Sequence, residues 1–183
     1  RYFSGRYIVP YDKGGASDSK GGWMPNYYVP TDYFINWSEW AVERMKTLKS
    51  SKQKGKIASR FQNVETYFKW GISFSDTGFY APTFRIGSGS PYDVMGMTIF
   101  SVSDIKFLIA ILSSKLTKMI VKTYVNQTVH TQVDGVKPIP VSYSTSDDIL
   151  KVAKEIVEKQ KSNLDYNYAS HEQIEIDKLV YDA

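Results

Sequence analysis

Hydrophobic positions change their period along this chain. Residues 6–9 read as a short strand, Lys13-Gly14-Gly15 and Gly21-Gly22 as turns, and residues 27–29 and 33–35 as extended, aromatic-rich pieces. Asn36, with Glu39 three residues on, predicts a helix start, and Trp37, Ala41, Met45 and Leu48 then recur at helical spacing until a Lys/Ser run over 49–56 ends the pattern. Residues 64–74 alternate as a strand, residues 79–86 offer a partner across a turn at 75–78, and residues 97–102 form a third strand after the loop Gly87-Ser88-Gly89-Ser90-Pro91. Ser103 caps the strongest helix, predicted over 104–124, with Ile105, Leu108, Ile109, Leu112, Leu116, Met119 and Ile120 on one stripe. Pro138 and Pro140 withhold ladder donors, so residues 136–141 are expected as an edge or extended segment. A further helix starts near Asp147, with Ile149, Val152, Ala153, Ile156 and Val157 on one face. A last one starts near Ser170 and carries Ile174, Asp177, Leu179 and Val180.

Composition fits a folded chain: 183 residues, 42% hydrophobic, 15% aromatic and 23% charged leave room for one domain, or a domain with a helical appendage. The absence of cysteine excludes disulfides, thiolate catalysis and cysteine-type zinc sites, and makes the cytoplasm the default expectation. The longest aliphatic and aromatic run, residues 107–112, falls far short of the roughly 20 residues that cross a bilayer. The chain opens on Arg1, so it is expected to be a segment of a longer protein. Its net charge of +4 conceals a gradient: +6 over residues 1–70, +2 over 71–141 and −4 over 142–183. Seven cations crowd into 44–60, namely Arg44, Lys46, Lys49, Lys52, Lys54, Lys56 and Arg60, a patch suited either to solubility or to a polyanion.

Catalytic signatures are missing. His130 and His171 have no second ligand at metal-type spacing, no serine sits in a nucleophile elbow, and the carboxylates are scattered. Gly87-Ser88-Gly89 lacks the Lys-Ser/Thr of a phosphate-binding loop and runs into Pro91 instead of a helix. The segment itself is therefore expected to be non-catalytic. Binding chemistry is richer. Lys52, Lys54, Lys56 and Arg60 suit phosphates, with Lys13 a further cation in the first turn. Lys69, Ser73, Ser75 and Arg85 lie in or beside the candidate hairpin, either as base-reading side chains or as plain polar residues of an exposed β face. Trp23, Tyr27, Tyr28 and Trp70 are aromatics that either stack on an unpaired base or pack within the sheet.

Three stretches carry a resemblance: Tyr7-Ile8-Val9-Pro10-Tyr11-Asp12-Lys13-Gly14-Gly15, then Tyr33-Phe34-Ile35-Asn36-Trp37, then Arg60-Phe61-Gln62-Asn63-Val64-Glu65-Thr66-Tyr67-Phe68-Lys69-Trp70-Gly71-Ile72-Ser73-Phe74-Ser75. With Phe84-Arg85, Tyr92-Asp93-Val94-Met95-Gly96, the segment from Asn126 to Val141 and the ending Ile176-Asp177-Lys178-Leu179-Val180-Tyr181, the chain resembles the C-terminal target-recognition region of adenine-specific DNA methyltransferases. Such regions occur in type IIG restriction-modification enzymes and in BREX phage-exclusion systems.

The resemblance implies a bacterial or archaeal cytoplasmic protein in which this region recognises duplex DNA while a methyltransferase domain of the same longer chain methylates adenine N6 with S-adenosylmethionine. Neither the Asn/Asp-Pro-Pro-Tyr/Phe motif nor a glycine-rich cofactor motif is present, so no cofactor is expected on this segment. The inserted basic loop and His130 depart from the family pattern. The expected architecture is α+β: a twisted mixed β-sheet over 1–142 with a packed core helix, followed by a C-terminal helical pair over 143–183. Three alternatives stay open: the specificity subunit of a type I restriction system and, from other classes, a carbohydrate-binding module and a nuclease with an unrecognised carboxylate site.

Overall fold

In a computed structural model that describes residues 7–12, 25–50, 55–59, 61–75, 82–92, 96–101, 104–125, 130–141 and 146–183, the most apolar stretch of the sequence becomes helix α2, Ile105–Ser113. Asp104 caps it by accepting a hydrogen bond from the Lys106 amide at 2.7 Å, and every side chain from Phe107 to Ser113 is buried. The helix stops at Ser114, where the hydroxyls of Ser114 and Thr117 both donate to the Ile111 carbonyl at 2.7 Å and the backbone turns extended. Hydroxyls that bond to nearby carbonyls compete with the helical ladder. Ser114 then caps helix α3, Lys115–Ile120, which runs into a π-helical stretch, Val121–Val125. The single helix expected over 104–124 is thus three pieces, and Ser103, its expected cap, lies outside the described residues.

Two small antiparallel sheets accompany the helices. Strands β1, Ile8–Pro10, and β2, Phe34–Asn36, pair with Val9 opposite Ile35. In the second sheet β3, Ile72–Phe74, lies between β4, Phe84–Ile86, and β5, Thr98–Ile99, with Ser73 opposite both Arg85 and Thr98. Among the described residues parallel pairing is confined to single bridges, Asp12 with Tyr92 and Tyr27 with Arg85. Gly71 allows β5 to close on β3, because a Cβ there would sit 2.6 Å from both the Ile99 oxygen and Thr98 Cγ2. The strand expected over 64–74 is realised only at its end. Residues Val64–Thr66 form a 3-10 turn, and Asn63 and Phe68 adopt left-handed backbone conformations with φ of 52° and 63°. Nor are residues 136–141 an extended edge, since Val133–Val136 make a one-turn helix, α4, followed by a turn that buries Ile139.

The C-terminal helices share the core with the sheet. Helix α5, Asp147–Ser162, places Ile149, Val152, Ala153, Ile156 and Val157 on its buried face, as its period predicts, and Ser146 caps it. Helix α6, Glu172–Asp182, packs beside it, burying Ile176 and Gln173 and pairing Glu172 with Lys159 of α5 at 2.8 Å. Ile72, Phe74 and Phe84 of the sheet join α2, α5 and Ile176 in one hydrophobic cluster. The expected α+β class is present, with the described strands in two small antiparallel sheets where one mixed sheet was expected.

Residues 25–28 stitch these layers together. The Tyr27 amide donates to the Phe84 carbonyl, and the Ile86 amide donates back to the Tyr27 carbonyl, each at 2.8 Å, with Tyr27 at φ 71° and fully buried. Its hydroxyl donates to Gln173 Oε1 at 3.0 Å, Gln160 bonds main-chain atoms of Asn26 and Tyr28, and the Asn26 amide donates to the Tyr168 hydroxyl at 3.2 Å. Burial pushes both the Tyr27 and Tyr168 hydroxyls up from their ordinary titration range.

Candidate nucleic-acid interface

Helix α1, Glu39–Thr47, follows directly from β2. Its cap is Ser38, whose Oγ accepts from the Ala41 amide at 3.2 Å, while Asn36 supports the turn by accepting from the Ser38 amide at 3.0 Å. Glu39 in the first turn and Arg44 and Lys46 in the last complement the helix dipole. Ala41 faces inward, whereas Trp40, Glu43, Arg44 and Lys46 face solvent. The Arg44 guanidinium lies over the Trp40 ring, 5.7 Å from its centroid, and Lys46 pairs with Glu43 at 2.8 Å. Trp40 is 69% exposed.

The chain then doubles back. The Ser50 amide donates to the Lys56 carbonyl and the Ala58 amide to the Leu48 carbonyl, both at 2.7 Å, which sets Lys49 opposite Ile57 in a narrow exposed hairpin. Lys49 and Lys56 form no ion pair among the described residues. Lys52, Lys54 and Arg60 belong to the same stretch but, like Lys13 and Trp23, lie outside the described residues.

An aromatic cluster fastens this helix and hairpin to the sheet. Trp37 contacts Phe61, Tyr67 and Phe68 with ring centroids 6.0, 5.7 and 5.5 Å away, Tyr67 meets Tyr92 edge-on at 5.6 Å, and Tyr92 meets Phe100 at 6.2 Å. The Thr66 and Tyr92 hydroxyls are hydrogen-bonded within it. Burial raises the Tyr67 hydroxyl above its ordinary range. Lys69 and Trp70 follow Phe68 immediately, and both are exposed.

Three of the expected base-reading residues lie elsewhere. Ser73, Ser75 and Arg85 do share one face of the hairpin, but that face is covered. Arg85 Nη2 meets Asp12 Oδ1 at 2.9 Å, its Nη1 donates to Ser75 Oγ at 3.2 Å, and Ser73 Oγ lies 3.3 Å from Thr98 Oγ1. Arg85 is 4% exposed. A guanidinium paired in that setting is an internal strut, and bringing it to a DNA base would uncover Asp12's carboxylate and open the contact between residues 7–12 and the sheet. The expectation that these three read bases from an exposed β face is corrected by that burial. Among the stacking candidates Tyr27 is likewise internal, Tyr28 is half-buried, and Trp70 alone of the four is both described and largely exposed.

The loop 87–90 does not fit a nucleotide cofactor, because it opens no helix and packs against the Trp70 ring. Among the described residues no group of three or more His, Cys, Asp or Glu side chains could hold a metal ion, and no helix is long and apolar enough to cross a membrane. The Trp40–Arg44 pair was absent from the expected contacts, although a tryptophan off the apolar stripe and four residues before an arginine is visible in the sequence. Comparison with known proteins returns no matching family model and no matching curated protein.

Proposed function

We propose that this chain is the sequence-specific duplex-DNA recognition region of a larger adenine-N6 DNA methyltransferase of restriction-modification or phage-defence type. The observation that carries the reading is the exposed basic stretch of α1 and its hairpin, where Arg44 lies over the Trp40 ring, Lys49 and Lys56 stand in solvent, and the sequence supplies Lys52, Lys54 and Arg60 between and beyond them. Such a surface suits phosphate contacts, which position a protein on a duplex. The sequence resemblance supplies the rest: the methyl donor and the flipped adenine belong to the longer protein, and no residue of this chain is assigned to them. The runner-up, a type I specificity subunit, needs a long spacer helix. Helix α5 has 16 residues, about 24 Å, and buries one face in its own core, which favours the methyltransferase-linked form.

The test is selection from a pool of random duplex DNA across a salt series, with sequencing of the retained fraction. An enriched short motif, bound less tightly as salt rises, is the expected result. Substituting Lys49→Glu and Lys56→Glu together should weaken binding and flatten its salt dependence by about two contacts. Absence of binding at low salt would overturn the reading.

A further inference from the structure

Trp70 occupies an unusual setting for an exposed aromatic. The backbone that delivers it contains two non-glycine residues in the left-handed region, Asn63 and Phe68, the second of them bulky. Phe68 is held there by its edge-on contact with Trp37. Sparsely populated backbone conformations persist where the surroundings over-determine them, and they cluster at binding sites. Here the strained stretch ends by placing Lys69 and Trp70 in solvent.

One face of the indole is already occupied. Gly89, with φ +62°, lies flat against it: a Cβ at that position would sit 3.1, 3.3 and 3.4 Å from Trp70 Cε2, Cδ2 and Nε1. The loop that carries Gly89 is tied down by the Gly87 amide, which donates to the Gly71 carbonyl at 2.9 Å, and by a hydrogen bond between the Ser88 and Ser90 hydroxyls. Trp70 nevertheless remains 60% exposed, so its opposite face is open. A flat ring backed by main chain on one side and bare on the other is a seat for a second flat ring.

Charge selects the occupant. Lys69 precedes Trp70, is exposed, and forms no ion pair among the described residues. The aromatic cluster that anchors the basic helix and hairpin also anchors Phe68. A planar π system attached to a phosphate chain satisfies both features, whereas a neutral sugar uses only the ring. We infer that Trp70, backed by Gly89 and flanked by Lys69, is a preformed stacking platform for an unpaired nucleobase of bound DNA. The inference rests on the DNA-recognition reading and extends it, since it makes the protein sensitive to a base that has left the duplex stack.

The full chain would be titrated with two duplexes identical except that one carries a single unpaired 2-aminopurine. Preference for the unpaired base of about 5- to 100-fold, with quenching of its fluorescence, is expected from stacking on one aromatic ring. Trp70→Ala should bring the preference close to one, Trp70→Phe should retain part of it, and Gly89→Ala should weaken it by pushing the ring from its seat. Lys49→Glu with Lys56→Glu should instead weaken binding to both duplexes and leave their ratio in place. Salt-sensitive binding of both duplexes without preference, or a preference that survives in Trp70→Ala, would overturn the platform and spare the DNA reading. Failure of the wild-type chain to bind either duplex at low salt would overturn both. Trp70-dependent binding of an oligosaccharide in place of DNA would do the same and give the ring to a sugar.

Discussion

The aliphatic core under α2, α5 and α6 and the aromatic cluster around Trp37 are built in opposite ways. The first is dominated by Ile, Val, Leu and Ala side chains, those of α2 and α5 at helical spacing, joined by Phe74, Phe84 and Phe107, with Tyr27, Gln160 and Gln173 hydrogen-bonded across it. The second is a chain of edge-on and tilted rings between short irregular pieces, adjoining α1 and its hairpin in sequence. Periodic burial holds the fold, while tilted aromatic contacts let strained, solvent-facing chain be positioned without long strands. The two regions should therefore respond differently to substitution.

The largest effect is expected where sheet and N-terminal segment meet. Arg85→Ala leaves Asp12's carboxylate without its guanidinium in a nearly closed setting and should cost about 3–5 kcal/mol of unfolding free energy in a urea titration. Ile156→Ala empties a fully buried site on α5 and should cost about 2–5 kcal/mol, with DNA binding of the folded fraction unaltered. Trp37→Ala sharpens the contrast: removing the hub of a half-buried cluster should cost about 2 kcal/mol and also weaken DNA binding, because α1 and its hairpin lose their anchor.

Acid gives a smaller effect, confined to the α5–α6 contact. Lys159 links Glu155 and Glu172, and Tyr166 bonds the same Glu172 oxygen. Burial alone would raise the Glu172 carboxyl, but the hydrogen bonds from Lys159 and Tyr166 outweigh it and hold the group below its ordinary range. Stability from a depressed carboxyl is complete above its unfolded value and is lost as pH falls through the folded one, so melting temperature should decline as pH is lowered below the ordinary carboxylate range. The Lys159 ammonium, raised chiefly by its bonds to Glu155 and then Glu172, contributes with the opposite sign: its share persists below the ordinary lysine value and is lost only in strong alkali. Lys159→Met should shrink the acid decline attributable to Glu172. The smallest stability change, under about 0.5 kcal/mol, belongs to Lys49→Glu with Lys56→Glu, the pair whose DNA affinity should change most.

Legibility in the sequence followed the same divide. The buried face of α5 was visible because period determines it, and Ser146 caps that helix just before its expected start, whereas α2 is buried all round and takes Asp104 as its cap where Ser103 was expected. The interruption at Ser114 was hidden because the hydroxyls of Ser114 and Thr117, not hydropathy, decide it. The start of α1 moved from Asn36 to Ser38, since Asn36 uses its side chain on the turn before the helix. Alternation in β3 and β4 correctly separated two faces, yet it carried no information that residues 7–12, more than sixty positions upstream, cover the polar one. That omission is what turned Ser73, Ser75 and Arg85 from candidate base contacts into internal struts.

The stitch at residues 25–28 also governs the order in which the protein can be completed. Asn26 and Tyr27 take partners 142 and 146 positions later, on the far side of the whole sheet and of α5. Contacts of that span bear a large loop-closure cost before they form. At translation rates of about 5–20 residues per second, Tyr27 leaves the ribosome roughly 7–30 s before Gln173 does. Until then Asn26 and Tyr27 lack the Tyr168 and Gln173 side chains that bond them in the finished fold. Completion of α6 is therefore the event that closes the stitch between residues 25–28 and the C-terminal helices.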